Sequence, residues 1–357
     1  MTTLVAMSGG VDSSVTAALL KRQGHDVVGL FMRNGTTAGE NARSHKQGCC
    51  SVADSNDARF VAGQLGLRFY VLNFAGDFQR VIDYFVDEYR RGRTPNPCAV
   101  CNTDLKFGKL LAYADSLGAE KVATGHYARV EFRDSRWRLL RGRDPEKDQS
   151  YYLWGLTQAQ LARALFPVGE LRKEQVRELA REFGLKTSEK PDSQEICFVP
   201  EGDYRAVVAR QKPEALVPGP VVNATGEVLG QHSGVAGFTI GQRRGLGIAA
   251  AKPLYVVRLE PETNTVVVGD PADLQVSRVA VSRVNWIDRE PPAPGTRLRA
   301  LVKVRYRHEG SAAEVTAGEN ATAAIAFDQP VTAAAPGQCA VFYAEHGDEV
   351  IGGGWID

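Results

Sequence analysis

No apolar run in this sequence approaches the roughly 20 residues that a membrane-spanning helix requires. The sequence also lacks an excess of charge of either sign, because 43 lysine and arginine residues face 42 aspartate and glutamate residues. We therefore expect no membrane association and no overall field that attracts nucleic acid. Any binding of RNA must depend on local clusters of basic side chains.

Cysteine is scarce as well, since the 357 residues contain only six cysteines. A strand-like run follows Met1 within a few residues, which leaves no room for a secretory or transit leader in this sequence. Together these features predict a cytoplasmic protein. In that compartment the cysteines indicate free thiols, a metal site or catalysis rather than a disulfide scaffold.

The remaining composition is that of an ordinary globular protein, and the length fits two or three domains. In the first part of the chain, strand-like runs alternate with helical periodicity, as in β-α-β units. This pattern predicts a doubly wound parallel sheet with helices on both faces, in which ligands bind beyond the carboxyl ends of the strands. The predicted strands are residues 4–7, 26–32, 68–74 and 121–124, the helices are residues 15–22, 52–65, 78–89 and 105–117, and a hairpin is predicted over residues 128–143.

Beyond about residue 204 the chain changes to short β-branched runs separated by glycine, proline and asparagine, which is typical of small barrels or sandwiches. A proline-rich stretch over residues 290–294 follows a second change of pattern near residues 276–284 and indicates two β modules. The predicted fold class is therefore α/β plus all-β, with an amino-terminal doubly wound parallel sheet followed by two small β domains. The predicted domains are residues 1–204, 205–275 and 276–357.

Residues 8–14, Ser-Gly-Gly-Val-Asp-Ser-Ser, lie between the first predicted strand and the first predicted helix. A glycine-serine turn at this place directs several backbone amides and the positive end of the helix dipole at one point, which suits a phosphate or pyrophosphate. A carboxylate among phosphates, here Asp12, is most useful as a ligand of a divalent cation such as Mg²⁺. The spacing is not that of a P-loop and resembles a pyrophosphatase-type loop, in which ATP is cut between its α and β phosphates. The alternative is a glycine turn before an ordinary helix.

Cys98 and Cys101 form a C-x-x-C pair in a segment with two prolines and an asparagine, which predicts a turn followed by a helix from about Asp104. A thiol just before a helix has its thiolate stabilised, which favours nucleophilic or metal-binding chemistry. Cys49 and Cys50 could complete a four-thiolate zinc site with this pair.

Two further cysteines lie far along the chain. Cys197, between Ile196 and Phe198, is either a reactive thiol or a small buried side chain. Cys339 lies in an apolar run, which predicts a core residue.

Several separated motifs together resemble one family, the bacterial tRNA-specific 2-thiouridylases. The match extends over nearly the whole chain, and it combines the nucleotide loop with two cysteines in distinctive contexts. The motifs are residues 7–14, residues 92–107 with their Thr-Pro-Asn-Pro core, and residues 124–127, 147–151, 165–171, 192–197, 241–247, 305–306 and 336–338.

In that family ATP adenylates the C2 oxygen of the wobble uridine with release of pyrophosphate, and a persulfide sulfur then displaces AMP to leave 2-thiouridine. The resemblance implies that Cys197 carries the persulfide and that Cys101 is its partner nucleophile, able to close a disulfide with it. The chemistry requires both steps, because a carbonyl oxygen leaves only as a phosphate ester and sulfur delivery needs a second thiol. The resemblance also implies a protein sulfur donor, either a cysteine desulfurase or a sulfur carrier.

The resemblance assigns binding residues as well. Lone basic residues among them could instead be solvated surface charges, and the histidine could be a satisfied turn residue. ATP with Mg²⁺ is expected at Ala6, Met7, Ser8, Gly9, Gly10, Val11, Asp12, Ser13, Met32 and Gly125, the target base at Asn96, Pro97 and Cys98, and tRNA at His126, Lys147, Asp148, Gln149, Arg305, Tyr306 and Gln338.

Cys98 stands where some family members have aspartate, so an acid–base role of that position is in doubt here. With Cys101 and Cys197 it would supply three thiolates, enough for an iron–sulfur cluster with an open iron. Two other functions stay open at this point: another pyrophosphatase-loop ATPase that acts on a small acid, and a non-catalytic RNA-binding module that holds zinc. The long polar segment of residues 33–50 is expected to be a mobile cover.

Overall fold

The computed structural model describes residues 1–35, 52–192, 196–199 and 202–357. Most of the predicted cover, with the candidate zinc ligands Cys49 and Cys50, lies outside these residues. The amino-terminal part is built on five parallel strands: β1 (Thr2–Ala6), β2 (Asp26–Arg33), β3 (Arg68–Asn73), β4 (Lys121–Ala123) and β7 (Ala164–Leu165). Their order is β3-β2-β1-β4-β7, so the direction of winding reverses between β1 and β4. The doubly wound sheet is thus confirmed, and the reversal creates a crevice where such sheets bind ligands.

Both faces of this sheet are buried, because successive side chains of a strand point to opposite sides. Leu4 and Leu30 belong to one apolar core, whereas Val5 and Phe31, the next residue in each strand, belong to another. Continuous apolar strands of this kind are typical of a parallel sheet that is covered by helices on both sides.

Helices supply those two covering layers. One of them, α3 (Ala75–Arg90), buries Phe78, Val81, Ile82 and Phe85 at the spacing of a single helix face. The helices in chain order are α1 (Val11–Arg22), α2 (Val52–Gln64), α3, α4 (Pro97–Val100), a π-helix (Cys101–Lys109), α5 (Leu110–Ser116), α6 (Gln158–Arg163), α7 (Lys173–Glu182) and α8 (Tyr204–Gln211).

The carboxyl-terminal part is an antiparallel barrel. Its strands are β12 (Gln275–Trp286), β13 (Arg297–Lys303), β14 (Ser311–Ala317), β15 (Ala323–Thr332), β16 (Cys339–Tyr343) and β17 (Glu349–Ile356). β12 pairs with both β15 and β17, which closes the ring in the order β12-β15-β14-β13-β16-β17. Closure leaves these strands without open edges, and apolar side chains such as Val302, Val315 and Phe342 form the core.

A smaller mixed sheet lies between these two parts in the sequence. It contains β8 (Gly219–Val222), β9 (Val228–His232), β10 (Tyr255–Glu260) and β11 (Thr265–Gly269) in the order β10-β11-β8-β9. Its own small core includes Val221, Phe238, Val256 and Val266. The predicted all-β character of the second half is confirmed.

One hairpin joins the amino-terminal part to the barrel. β5 (Ala128–Arg133) and β6 (Arg136–Arg141) form the hairpin that the sequence predicts. However, β6 pairs with β17, so the hairpin extends the sheet of the barrel and not the parallel sheet. Leu139 of β6 and Val350 of β17 are paired across this junction and are fully buried in a core shared with α3.

Within the described part of the chain, no helix combines the length and the apolar character needed to cross a membrane. α3 has 16 residues and a polar outer face. The cytoplasmic location expected from the sequence stays a prediction.

Leu139→Ala will lower the free energy of unfolding by about 2–5 kcal/mol, because it removes a fully buried side chain from the shared core. Phe132→Ala on the same hairpin is the control, since Phe132 is 62% exposed and its loss should cost less than about 1 kcal/mol. Urea unfolding measures both variants. Equal losses would contradict a core that extends from the hairpin into the barrel.

Candidate functional site

The loop after β1 lies at the crevice between β1 and β4. Ser8 and Ser13 hold its ends together, because Ser8 N donates to Ser13 Oγ at 3.1 Å and the two hydroxyls are 3.2 Å apart. Gly9 has φ +77°, and a Cβ there would lie 2.3 Å from the carbonyl oxygen of Asp54. Gly10 precedes α1, and among the described residues no side chain caps the first turn of this helix. The amides of that turn are therefore available to an anion.

Gly125 closes the crevice from the side of β4. A Cβ at this position would lie 2.8 Å from Ser13 N and 2.8 Å from the carbonyl carbon of Asp12. Glycine therefore lets the end of β4 pack directly on the loop. Of the other predicted ATP residues, Ala6 and Met32 are half-buried against the core on one face of the sheet, and Met7 and Val11 are buried in the core on the other face.

Asp12 is held by two side chains from elsewhere in the chain. The Tyr127 hydroxyl donates to Asp12 Oδ1 at 2.8 Å, and Lys173 Nζ lies 2.7 Å from Oδ1 and 2.9 Å from Oδ2. Burial and the charge of Asp12 raise the pKa of Tyr127, which keeps its hydroxyl protonated as a donor. Because Lys173 contacts both carboxylate oxygens, a divalent cation at Asp12 would compete with this ammonium group.

Lys173 also binds Asp192, which lies five residues before Cys197. Its Nζ is 2.9 Å from Asp192 Oδ1, and Lys147 and Arg177 contact the same carboxylate at 2.9 and 2.7 Å. Burial opposes ionisation of Asp192, but the hydrogen bonds from Lys147 and Lys173 outweigh it and hold the pKa of this carboxyl below its usual value. We call Asp12, Lys173 and Asp192 the carboxylate bridge.

Lys190 makes a second link between the loop and the same segment. Its Nζ donates to the Gly9 carbonyl oxygen at 2.9 Å and contacts Asp54 and Asp57 at 2.7 and 2.8 Å. Burial favours the neutral amine, yet these carboxylates raise the pKa of Lys190 above its ordinary value. The segment that leads to Cys197 is thus tied to the nucleotide loop at two residues.

Cys98 and Cys101 lie in the first turns of a helix, not before it as the sequence predicted. Asn96 Oδ1 accepts a hydrogen bond at 3.2 Å from a backbone amide of α4, and Pro97 occupies the first helical position. This cap lets the helix begin at Pro97 instead of near Asp104. From Cys101 it continues as the π-helix, a geometry that is frequent at functional sites.

The segment before this helix is fastened to the barrel. The Gln338 side chain donates to the carbonyl oxygens of Thr94 and Pro95 at 3.2 and 3.1 Å. Arg93 donates to the Ile356 carbonyl oxygen at 2.9 Å. Gln338, which the sequence assigned to tRNA, thus positions the cysteine segment, and its contact with tRNA stays a prediction.

Cys197 is half-buried and packs on the same core as Cys101. Its neighbour Phe198 packs edge-on against Phe78 and Phe85 of α3, with ring centroids 5.7 and 5.0 Å apart. The helices that bear the C-x-x-C pair also pack on α3. One helix therefore supports both thiol segments.

A metal site on these thiols is not preassembled. Across the ranges that the structure describes, no group of three or more His, Cys, Asp or Glu side chains is arranged to hold a metal ion. Cys98, Cys101 and Cys197 therefore do not fit an iron–sulfur cluster in this conformation. The zinc alternative depends on cysteines outside the described residues.

Three of the residues assigned to tRNA are bound within the protein. His126 is 8% exposed, and its Nδ1 lies 2.6 Å from the Thr124 hydroxyl. Burial lowers the pKa of His126 well below the usual value, which keeps the imidazole neutral. Asp148 accepts from Ser150 N and Oγ at 3.1 and 3.0 Å, and Gln149 accepts from a backbone amide at 3.0 Å. Their contact with tRNA stays a prediction.

Arg305 and Tyr306 lie at the end of the barrel strand β13. Arg305 is exposed and donates to the carbonyl oxygen of Thr332 at 2.7 Å. Tyr306 stacks on Tyr152 with ring centroids 4.7 Å apart and an interplanar angle of 28°. Tyr152 was not singled out from the sequence, where it is one aromatic residue among several near the Lys-Asp-Gln motif.

An anion-binding loop at the switch point of a doubly wound sheet, followed by β domains, defines a nucleotide-binding protein of the pyrophosphatase-loop class. Three family models match the chain in succession. They are described as a tRNA methyl transferase HUP domain over residues 1–201, a tRNA methyl transferase PRC-barrel domain over residues 205–270 and an aminomethyltransferase beta-barrel domain over residues 276–356.

Similar proteins of known name identify the family within this class. The tRNA-specific 2-thiouridylases of Carboxydothermus hydrogenoformans and Geobacter metallireducens are each 50% identical to this chain over 99% of its length, and the match covers 97% and 96% of those proteins. The chain belongs to the tRNA-specific 2-thiouridylase family, as the sequence motifs indicated. Among solved structures, a 4-thiouridine synthetase–RNA complex with bound ATP aligns with 60% of this chain and 50% of that chain at 16% identity and a TM-score of 0.35.

Asn96→Ala will lower the free energy of unfolding by about 1 kcal/mol, because the first turn of α4 loses its acceptor. Asn96→Ser keeps a side-chain oxygen at this position and should recover most of that loss. Denaturant unfolding of both variants measures the difference. If serine and alanine cost the same, the cap does not determine where the cysteine helix begins.

Asp192→Asn will lower the free energy of unfolding at pH 7 by about 1–3 kcal/mol, because three cationic partners lose their carboxylate. The pKa of Asp192 is depressed in the folded state. The ionised carboxylate therefore contributes fully to the free energy of unfolding above a pH of about 4, the ordinary pKa of aspartate in an unfolded chain. This contribution disappears as the pH falls through the lower pKa of Asp192 in the folded protein. Unfolding measured from pH 8 to pH 3 should show a constant difference from wild type down to about pH 4 and a shrinking one below. A difference that grows on acidification would refute this assignment.

Proposed function

We propose that this chain uses ATP to replace the C2 oxygen of the wobble uridine of tRNA by sulfur, with AMP and pyrophosphate as the other products. Its family is that of tRNA-uridine 2-sulfurtransferases, and its relatives are named tRNA-specific 2-thiouridylases. The observation that carries the proposal is the carboxylate bridge, because it joins the nucleotide loop to the segment that bears Cys197.

Activation of the uridine is proposed to occur at the loop after β1. The uridine O2 attacks the α-phosphorus of ATP, the bond from that phosphorus to its bridging oxygen breaks, and pyrophosphate leaves with the electron pair. The amides of the first turn of α1 and the ammonium groups of Lys173 and Lys190 would stabilise this leaving group. Mg²⁺ held by the phosphates and by Asp12 would supply additional positive charge.

Sulfur transfer is proposed to follow at the two thiols. The terminal sulfur of a Cys197 persulfide attacks C2, and the C2–O bond breaks to release AMP. The Cys101 thiolate then attacks the Cys197 sulfur, so that the sulfur on C2 leaves as 2-thiouridine and a Cys101–Cys197 disulfide forms. The Cys101 sulfur is oxidised from thiolate to disulfide while the transferred persulfide sulfur is reduced to the level of the thiocarbonyl, and an external thiol must reduce the disulfide before the next turnover. Support for this pairing comes from α3, on which both segments pack.

Binding of the RNA is proposed to involve both ends of the chain. The cysteine helix would hold the extruded base, and the residues around β13 and the Lys-Asp-Gln turn would hold its neighbours. A cytoplasmic cysteine desulfurase or sulfur carrier would load Cys197. The proposed base-binding residues are Asn96, Pro97 and Cys98, and the proposed tRNA contacts are His126, Lys147, Asp148, Gln149, Arg305, Tyr306 and Gln338.

Cys197→Ser and Cys101→Ser will each reduce transfer of radiolabelled sulfur to unmodified tRNA by at least about 100-fold, because neither hydroxyl can replace its thiol in the exchange. Both variants should retain tRNA-dependent release of pyrophosphate from ATP, since adenylation precedes sulfur transfer. Measurement of the two activities in parallel separates the two steps.

Cys339→Ala is the matched control. Cys339 is fully buried in the barrel, and burial raises the pKa of its thiol to about 12, so it stays protonated. This variant should thiolate tRNA at nearly the wild-type rate. Full thiolation by Cys197→Ser would exclude the persulfide mechanism. Pyrophosphate release without any thiolation of tRNA by the wild type would instead favour a pyrophosphatase-loop enzyme with another substrate.

A further inference from the structure

Lys303, the last residue of β13, has an unusual environment for a lysine. The residue is 9% exposed. Among the described residues its Nζ has no hydrogen bond or ion pair, and the rings of Tyr151 and Tyr306 lie beside it, with centroids 6.0 and 5.8 Å away. Burial lowers the pKa of Lys303, because the charged form is poorly solvated there.

The other basic residues of β13 differ from Lys303 in their partners. Arg299 contacts both Asp328 and Glu345, at 2.6 and 3.2 Å, so its charge is neutralised at the surface. Arg297 also faces a carboxylate, Glu314, at 3.7 Å. Lys303 and the exposed residues Arg305 and Arg307, which follow the strand, have no carboxylate in ion-pair distance within the described chain. Positive charge thus accumulates at one end of this strand, in a chain whose total charge is close to zero.

An aromatic stack connects this end of β13 to the cysteine helix. Tyr306 stacks on Tyr152. The Asn102 side chain donates to the Tyr152 carbonyl oxygen at 3.2 Å, and the turn that contains Tyr152 packs on α4, which bears Cys98. The two stacked rings of Tyr306 and Tyr152 therefore separate Lys303 from the proposed position of the target base.

The simplest structural role for Lys303 would be to neutralise Asp148. That carboxylate already accepts hydrogen bonds from Gly142 N, Ser150 N and Ser150 Oγ, so it is satisfied without an ammonium group. An ammonium group that is buried without a partner destabilises a fold. Lys303 is buried but not sealed from solvent, because 9% of its surface stays exposed.

We propose that Lys303 binds a phosphodiester of the tRNA backbone next to the extruded uridine. Such an anion would supply the missing hydrogen bonds and charge, while the neighbouring tyrosines offer surfaces on which bases and sugars stack. The phosphates of ATP are the other source of this chemistry, but their loop has its own cations in Lys173 and Lys190. The inference rests on the proposed function, since tRNA is taken as the substrate.

The test compares Lys303→Met with Arg299→Met, which removes the same charge from the same strand. For Lys303→Met we expect the Kd for unmodified tRNA to rise about tenfold and the slope of log K against log salt concentration to fall by about 0.7–0.9. The Kd for ATP should not change. The Tm should rise by about 2–4 °C, because a poorly solvated charge is removed. Arg299→Met should leave tRNA affinity within about twofold of wild type.

Four results would overturn the proposal. They are an unchanged tRNA affinity and salt slope in Lys303→Met, a lower Tm with an unchanged slope, an equal loss of tRNA affinity in Arg299→Met, and a loss of ATP affinity in place of tRNA affinity. A lower Tm alone with an unchanged slope would assign Lys303 a structural role beside Asp148. The wild type could also bind tRNA with a salt dependence that Lys303→Met reduces, and yet fail to thiolate it. That result would refute the proposed function and would support the phosphate site.

Discussion

The site depends on one ammonium group between two carboxylates. Lys173 begins α7, Asp12 lies in the first turn of α1, and Asp192 lies in the segment that leads to Cys197. Lys173 is 11% exposed, so both contacts are shielded from water and from salt. Removing the ammonium would leave Asp12 without a cationic partner in the described part of the chain, whereas Asp192 would keep Lys147 and Arg177. The position of the second thiol segment relative to the nucleotide loop is therefore fixed by charge as well as by packing.

The barrel contributes to the same geometry from the opposite end of the chain. Gln338 and Arg93 fasten the segment before α4 to the barrel, and β6 adds its hairpin to the barrel sheet. The apolar core under this junction includes residues of α3, on which both thiol segments pack. The carboxyl-terminal domain is thus part of the support for Cys98 and Cys101. RNA that contacts the barrel would therefore contact the domain that also positions these thiols.

Local signals in the sequence predicted most elements of the fold, but they did not predict which distant elements pair. Periodicity predicted the parallel sheet, and the serine-glycine loop was predicted to lie at the carboxyl end of the first strand. The attachment of β6 to β17 was missed, because a hairpin pattern does not reveal which sheet the hairpin will join. The early start of the cysteine helix was missed because Pro97 was taken as part of a turn, although Asn96 followed by proline is also a cap signal. Lys173 and Lys190 were missed because a lysine at a helix start or in a polar loop usually indicates solvent exposure.

Local clusters of cations explain how a nearly neutral chain can present positive charge to phosphates. Around Asp192 three cations share one carboxylate, with Asp12 as the only further acid in the carboxylate bridge. Each cation is held in place before any ligand arrives, so little side-chain entropy remains to be lost on binding. When phosphates enter, the ammonium of Lys173 can exchange part of its contact with Asp12 for a phosphate oxygen without leaving Asp192. Such an exchange would release Asp12 for a cation at the moment the nucleotide supplies the remaining ligands.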